Sequence, residues 1–281
     1  MALIINILTL ATWLLACYFM LVRIEDGHCI KDVRLKTAAA VCIVLIGLVA
    51  DIQWMRYIDP EPIQGEVALH YLGFIGLIFY ALGDIRLGQA HIKKDKKVAY
   101  RKEGIICFGI GHILYIAAII ALFDMTYVKY IVEVFIAALI VGLIAGFGAR
   151  RLSLHFGRYT AMVSIYIGLL VFAALLAFAL VHSMDVAYET ADAAYQATIV
   201  TPEYQEAVAA DPSATIYPPV MSVAYGTAKA LRAAFLAFVV SDITLAPMYF
   251  GRVGNKPHFV IINHVTYYIA QLLLAYALIT F

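Results

Sequence analysis

Side chains able to move protons recur at similar depth in an otherwise apolar sequence. Asp84 sits near the end of the window FIGLIFYALGDIRL, and Ser241 and Asp242 interrupt FLAFVVSDITLAPM. His112 and Tyr115 form an H-x-x-Y pair in GIGHILYIA, while His264, Tyr268 and Gln271 recur at i, i+4 and i+7, one face of a helix. At 1.5 Å per helical residue, Asp84, Asp242 and His112 lie about 5, 9 and 12 Å from the same side of an apolar layer. Ionisable groups inside such a layer are expensive, and those that persist face the interior of a bundle and serve function. Two carboxyl groups on separate segments suit acid–base work. Desolvation favours the protonated acid, and a second carboxylate can hold positive charge or take a proton back.

Each residue also has a plainer use. Asp84, beside Arg86, can be a solvated helix-end group, and His112 can bond a neighbouring carbonyl, with Gly109 and Gly111 marking close helix packing. Tyr267, Tyr268 and Gln271 can join helices, and Asn263 and His264 fall where headgroups would meet them. Asp51, Asp124 and Glu133 read as residues of the opposite interface.

The elements that must position these groups follow from composition. Of 281 residues, 64% are hydrophobic and 14% charged, with mean hydropathy +0.89; a soluble domain has about 45–50% apolar and about 25% charged residues. This excludes a soluble enzyme, and a net charge of +1 gives no bias toward nucleic acid. Windows of about 20 apolar residues, enough for a 30 Å core, occur at 2–22, 35–54, 67–87, 104–123, 127–147, 159–181, 225–248 and 260–279. The expected fold is therefore an all-α polytopic membrane bundle of about eight spans in a single transmembrane domain. The first span has neither the basic leader nor the cleavage site of a signal peptide and is read as a mature helix. Cys17, Cys29, Cys42 and Cys107 have no redox or zinc spacing and read as reduced thiols.

Sixteen of the 20 Lys and Arg residues fall in the odd-numbered loops. Only Arg56, Lys129, Lys229 and Arg232 fall on the other side. The positive-inside rule then makes the odd loops cytoplasmic and puts both termini outside. With no organelle signal, the expected location is a bacterial cytoplasmic membrane. The segment 182–224 contains no Lys or Arg but six acids, among them Asp185, Glu189 and Asp192; it is expected to be a solvated outer connector with at most a short surface helix. No internal repeat of the kind found in many secondary transporters is evident.

In order, the strings FIGLIFYALGDIRL, GIGHILYIA, FVVSDITLA and TYYIAQLLL resemble the YhhN-like membrane proteins, whose characterised members are lysoplasmalogenases. The resemblance runs from Val67 to the C-terminus; the Lys-Pro usual near the start of the second helix is Lys36-Thr37 here. It implies hydrolysis of the vinyl ether of a 1-alkenyl lysophospholipid to a fatty aldehyde and a glycerophospho-alcohol, with no cofactor or metal. Asp84 and Asp242 are then the expected acid–base pair, in either order, and His112 relays protons or orients an aspartate. Tyr80, Tyr115, Ser241, Tyr267, Tyr268 and Gln271 are expected to contact substrate or water. Arg86, Arg150 and Arg151 lie on the face where the lipid phosphate would arrive.

Two other functions use the same groups. A metal-dependent lipid hydrolase could ligate through His112, His264, Asp84 and Asp242, although no HExxH or paired-His spacing is present. A proton-coupled transporter or receptor could use the carboxylates as a relay.

Overall fold

The computed structural model describes residues 1–57, 64–123, 128–210, 223–251 and 256–279. Asp124, Pro212, Pro218, Pro219 and Arg252 lie outside the described residues. Among the described residues there are nine α-helices and no strand. They are α1 (Ala2–Glu25), α2 (Ile30–Tyr57), α3 (Gln64–Ile92), α4 (Lys97–Ala121), α5 (Val128–Gly148), α6 (Thr160–Ile199), α7 (Pro202–Ala210), α8 (Val223–Phe250) and α9 (Pro257–Ala277). All but the short α7 are long and apolar enough to cross a membrane. The protein is thus an all-α, multi-pass membrane bundle.

The neighbour relations close a ring. Going round, α1 packs on α2, α2 on α3, α3 on α4, α4 on α6, α6 on α8, α8 on α9, and α9 returns to α1 while also touching α2 and α3. Among the spans, α5 packs chiefly on α6 and shows most of its apolar surface outward, including Phe135, Leu139, Leu143 and Phe147. A helix apolar all round and buried on one side only is what lipid solvation permits. The opposite case is α9, whose inward face buries Asn263, His264, Tyr267, Tyr268 and Gln271.

The contact between α3 and α4 is built on alternating size. Down the antiparallel pair, Gly76 faces Tyr115, Tyr80 faces Gly111, Gly83 faces Phe108 and Leu87 faces Gly104. A Cβ on Gly83 would sit 2.7 Å from the Phe108 ring, and one on Gly111 would run into the Tyr80 ring. Small residues let the two backbones approach until each large side chain fills the gap opposite a glycine. Gly111→Val is therefore expected to lower the melting temperature in detergent, by the 1–3 kcal/mol or so that overpacking costs. Gly109→Ala, whose Cβ would meet only Leu169 at 3.8 Å, should leave it unchanged.

The sixth helix departs from expectation. It does not stop near Val181 but continues unbroken to Ile199, 40 residues in all and about 60 Å long, roughly twice a bilayer core. Hydropathy falls after Val181, but helix propensity does not: SMDVAYETADAAYQATI is rich in alanine and has no Pro or Gly. The segment 182–224 is therefore mostly helix as far as Ala210, and residues 211–222 lie outside the described set.

Candidate functional site

At the end of the bundle where the basic residues gather, the ring encloses a cavity of about 290 Å³. Every ring helix lends it at least one residue, from Arg23 on α1 to Tyr267 on α9, and α5 lends none. Asp84 and Asp242, from α3 and α8, both line it, as do Ser241 and Tyr267.

The two carboxyl groups have different partners. Asp84, its side chain 1% exposed, holds Lys36 at 2.6 Å through Oδ1 and accepts the Tyr267 hydroxyl at 2.6 Å through Oδ2. Lys36 comes from the second turn of α2 and also lies 5.2 Å from the Tyr267 ring centre. Asp242 accepts the Tyr166 hydroxyl at 2.5 Å. Among the described residues it has no cation within ion-pair distance. One carboxylate is thus locked to an ammonium and a phenol, and the other is tied only to a phenol and faces the cavity.

Second contacts fix these side chains. Asn263 donates through Nδ2 to the carbonyl of Ser241 at 2.8 Å and to its Oγ at 2.9 Å, which pins α9 to α8 beside Asp242. His264 shares a 2.8 Å bond between Nδ1 and the carbonyl of Val260. A carbonyl can only accept, so Nδ1 carries the proton and Nε2 is left as an acceptor on the ring edge. The headgroup-level reading of Asn263 and His264 is corrected here, since both are 3% exposed and both line the cavity.

The remaining expected residues lie in the packed core, outside the cavity lining. His112 is fully buried and shares a 2.7 Å hydrogen bond from Nδ1 to the Tyr80 hydroxyl. Its ring is 5.2 Å from that of Tyr166, the residue bonded to Asp242, and 5.1 Å from that of Phe238. Tyr115 stacks on Tyr80 at 5.8 Å, and Tyr268 and Gln271 are buried on α9. At the opposite end of α2, Asp51 is no interface residue: it is buried and meets His70 at 2.8 Å. Among the described residues, no group of three or more His, Cys, Asp or Glu side chains comes together as a metal-ligand set, so His112, His264, Asp84 and Asp242 do not form one.

The profile of the YhhN family matches residues 32–278. The chain belongs to the YhhN family. The match runs from the first turn of α2 to the end of α9, so the likeness read from Val67 onward extends back through Lys36. No curated protein and no solved structure matches the chain.

Two residues of this YhhN site, Tyr166 and Asn263, stand outside the motif strings, while Lys36 stands where the family's usual Lys-Pro has its lysine. By charge alone Lys36 is one of the basic residues of the first loop, and the altered Lys-Pro is the sign that singles it out. Tyr166 sits in VSIYIGLLV, where Ser164 is its one polar neighbour, and Asn263 abuts His264 of the polar stripe on α9.

Proposed function

We propose that this YhhN protein is an integral-membrane hydrolase that cleaves the vinyl ether of 1-alkenyl lysophospholipids. The observation that carries the reading is the unequal pair of carboxyl groups on one cavity, one bound to a cation and one not. Family membership supports hydrolase chemistry, and the cavity geometry supports this bond in particular.

Vinyl ether hydrolysis starts with a proton delivered to the alkene carbon remote from oxygen, R–CH=CH–O–R′ becoming R–CH₂–CH=O⁺–R′. The acid must carry a proton while lying next to a neutral, apolar group. Asp242 has this role: its hydrogen-bond partner is a neutral phenol, and no ammonium holds it as the anion. Asp84, with Lys36 and Tyr267 on its two oxygens, keeps its negative charge and stabilises the oxocarbenium ion as it forms. Water then adds to the cationic carbon, and Asp242, now a carboxylate, takes its proton. The hemiacetal collapses to R–CH₂–CHO and the free glycerol hydroxyl, and no cofactor is consumed. Ser241 and His264, both on the cavity wall, orient the water in this reading, while His112 and Tyr80 act as positioning residues behind Tyr166. By the positive-inside count the cavity opens to the cytoplasm.

The test is aldehyde release from 1-alkenyl lysophosphoethanolamine and its choline counterpart by the purified protein in detergent, where no gradient exists to drive a transporter. Aldehyde should appear, persist in excess chelator, and be absent with the saturated 1-alkyl ether, which has no carbon to protonate. Folded protein that releases none from either lipid overturns the reading, and loss of activity on chelation would move the metal-dependent alternative ahead of it.

A further inference from the structure

The cavity mouth holds more positive charge than its acids neutralise. His91, on its wall, lies within electrostatic reach of Arg23, Lys36, Lys97 and Arg101. Two of these cations are already matched: Arg23 to Asp32 at 2.5 Å and Lys36 to Asp84 at 2.6 Å. The acid nearest Arg101 in sequence, Glu103, is held by Arg86 at 3.2 Å. Among the described residues, neither Arg101 nor Lys97 has a carboxylate within ion-pair distance, and both line the cavity.

Arg101 is also held in place. Its guanidinium carbon lies 5.8 Å from the Tyr159 ring centre, 5.2 Å from that of Tyr249 and 5.9 Å from that of Phe250. Tyr249 is itself fixed by a 2.9 Å bond to His91. The Nε of Arg101 is buried without a hydrogen-bond partner. Rings grip the group and, among the described residues, its Nε is left without a partner, which suits a planar fork awaiting a tetrahedral anion. Lys97 stands one helical turn further out.

In the α3–α4 register Gly83 faces Phe108, so Asp84 is level with Cys107, and Arg101 lies six residues beyond it toward the mouth. That is about 9 Å along the axis between backbone positions, so a lipid whose ether lies at the aspartates extends its phosphate toward Arg101.

We propose that Arg101, assisted by Lys97, is the phosphate-binding subsite of this cavity and fixes a lysophospholipid with its ether at the two aspartates. The inference rests on the hydrolase reading for the identity of the lipid but not for the anion site itself. The experiment therefore measures binding without turnover. The purified protein in detergent is titrated, by calorimetry, with 1-alkyl lysophosphoethanolamine, with uncharged 1-alkylglycerol of equal chain length, and with inorganic phosphate.

Wild type should bind the phosphate-bearing lipid about tenfold or more tightly over the alkylglycerol, as a charge-assisted two-pronged contact allows. Arg101→Gln should erase that preference while leaving alkylglycerol affinity unchanged. Arg101→Lys, which keeps the charge and the stem against the rings, should fall between them and serves if the Gln variant melts early. Lys97→Gln should weaken phosphate-lipid binding by less. An undiminished preference in both Arg101 variants overturns the proposal, and so does inorganic phosphate binding as tightly as the lipid, which would make this a free-phosphate site. A protein that shows the preference but releases no aldehyde keeps the subsite and loses only the hydrolase.

Discussion

Asp242→Asn should lower aldehyde release by about 10³-fold, within the 10²–10⁴ that a positioned acid–base group supplies. The substitution is nearly isosteric, and the amide oxygen can still accept the Tyr166 hydroxyl that Asp242 accepts now at 2.5 Å. No ion pair is broken, so the melting temperature and the affinity for a 1-alkyl lysolipid should stay close to wild type. What disappears is the proton. Run in D₂O, the wild-type reaction should place one deuterium on the carbon next to the aldehyde and show a slower rate, because transfer to carbon is the difficult step. Turnover near wild type in the Asn variant would remove Asp242 from the role of acid.

The second large effect lies in the Lys36–Asp84 pair. Lys36→Met leaves Asp84, 1% exposed, as a buried carboxylate whose remaining partner is the Tyr267 hydroxyl. Removing one member of a buried pair costs about 3–5 kcal/mol, which should appear as a steep fall in melting temperature in detergent. Asp84→Asn alone strands the ammonium instead and should also destabilise. The double variant Lys36→Met with Asp84→Asn removes both charges and should recover most of the lost melting temperature, yet stay inactive because the group that stabilises the cation is gone. Activity in the double variant would show that Asp84 holds the helices together and has no part in the chemistry. A double variant as unstable as the worse single one would show that the two side chains are not energetically coupled.

The helices could be read from the sequence because each span must satisfy its own backbone in lipid, and only an apolar run of sufficient length does so. Hydropathy does not register a helix that leaves the membrane, and for that reason the alanine-rich extension of α6 to Ile199 was missed. Asp84 and Asp242 could be read because a carboxyl group in an apolar window has few innocent explanations. Lys36 is less legible, since a lysine near a helix end is ordinary at an interface, where snorkelling costs little, and its one sign is the family's Lys-Pro, altered here to Lys36-Thr37. Tyr166 is ordinary too: one tyrosine in an apolar helix packs as readily as it bonds, and only the ring closure that brings α6 beside α8 gives its hydroxyl a carboxylate. His112 shows the limit of depth as a guide. Its depth matched that of the acids, but its azimuth, set by the Gly111–Tyr80 contact, turns it into the core.

The closing contact of α9 with α1 bears on how the protein is made. Asp84 and Lys36 are synthesised early, but Tyr267, which completes the hold on Asp84, and Asn263, which braces the backbone beside Asp242, both ride on α9. A nascent chain with the seven earlier spans already inserted has both acids but lacks the α9 wall of the chamber. On the hydrolase reading, turnover would then have to wait for α9, and aldehyde release would double as a report that assembly is finished.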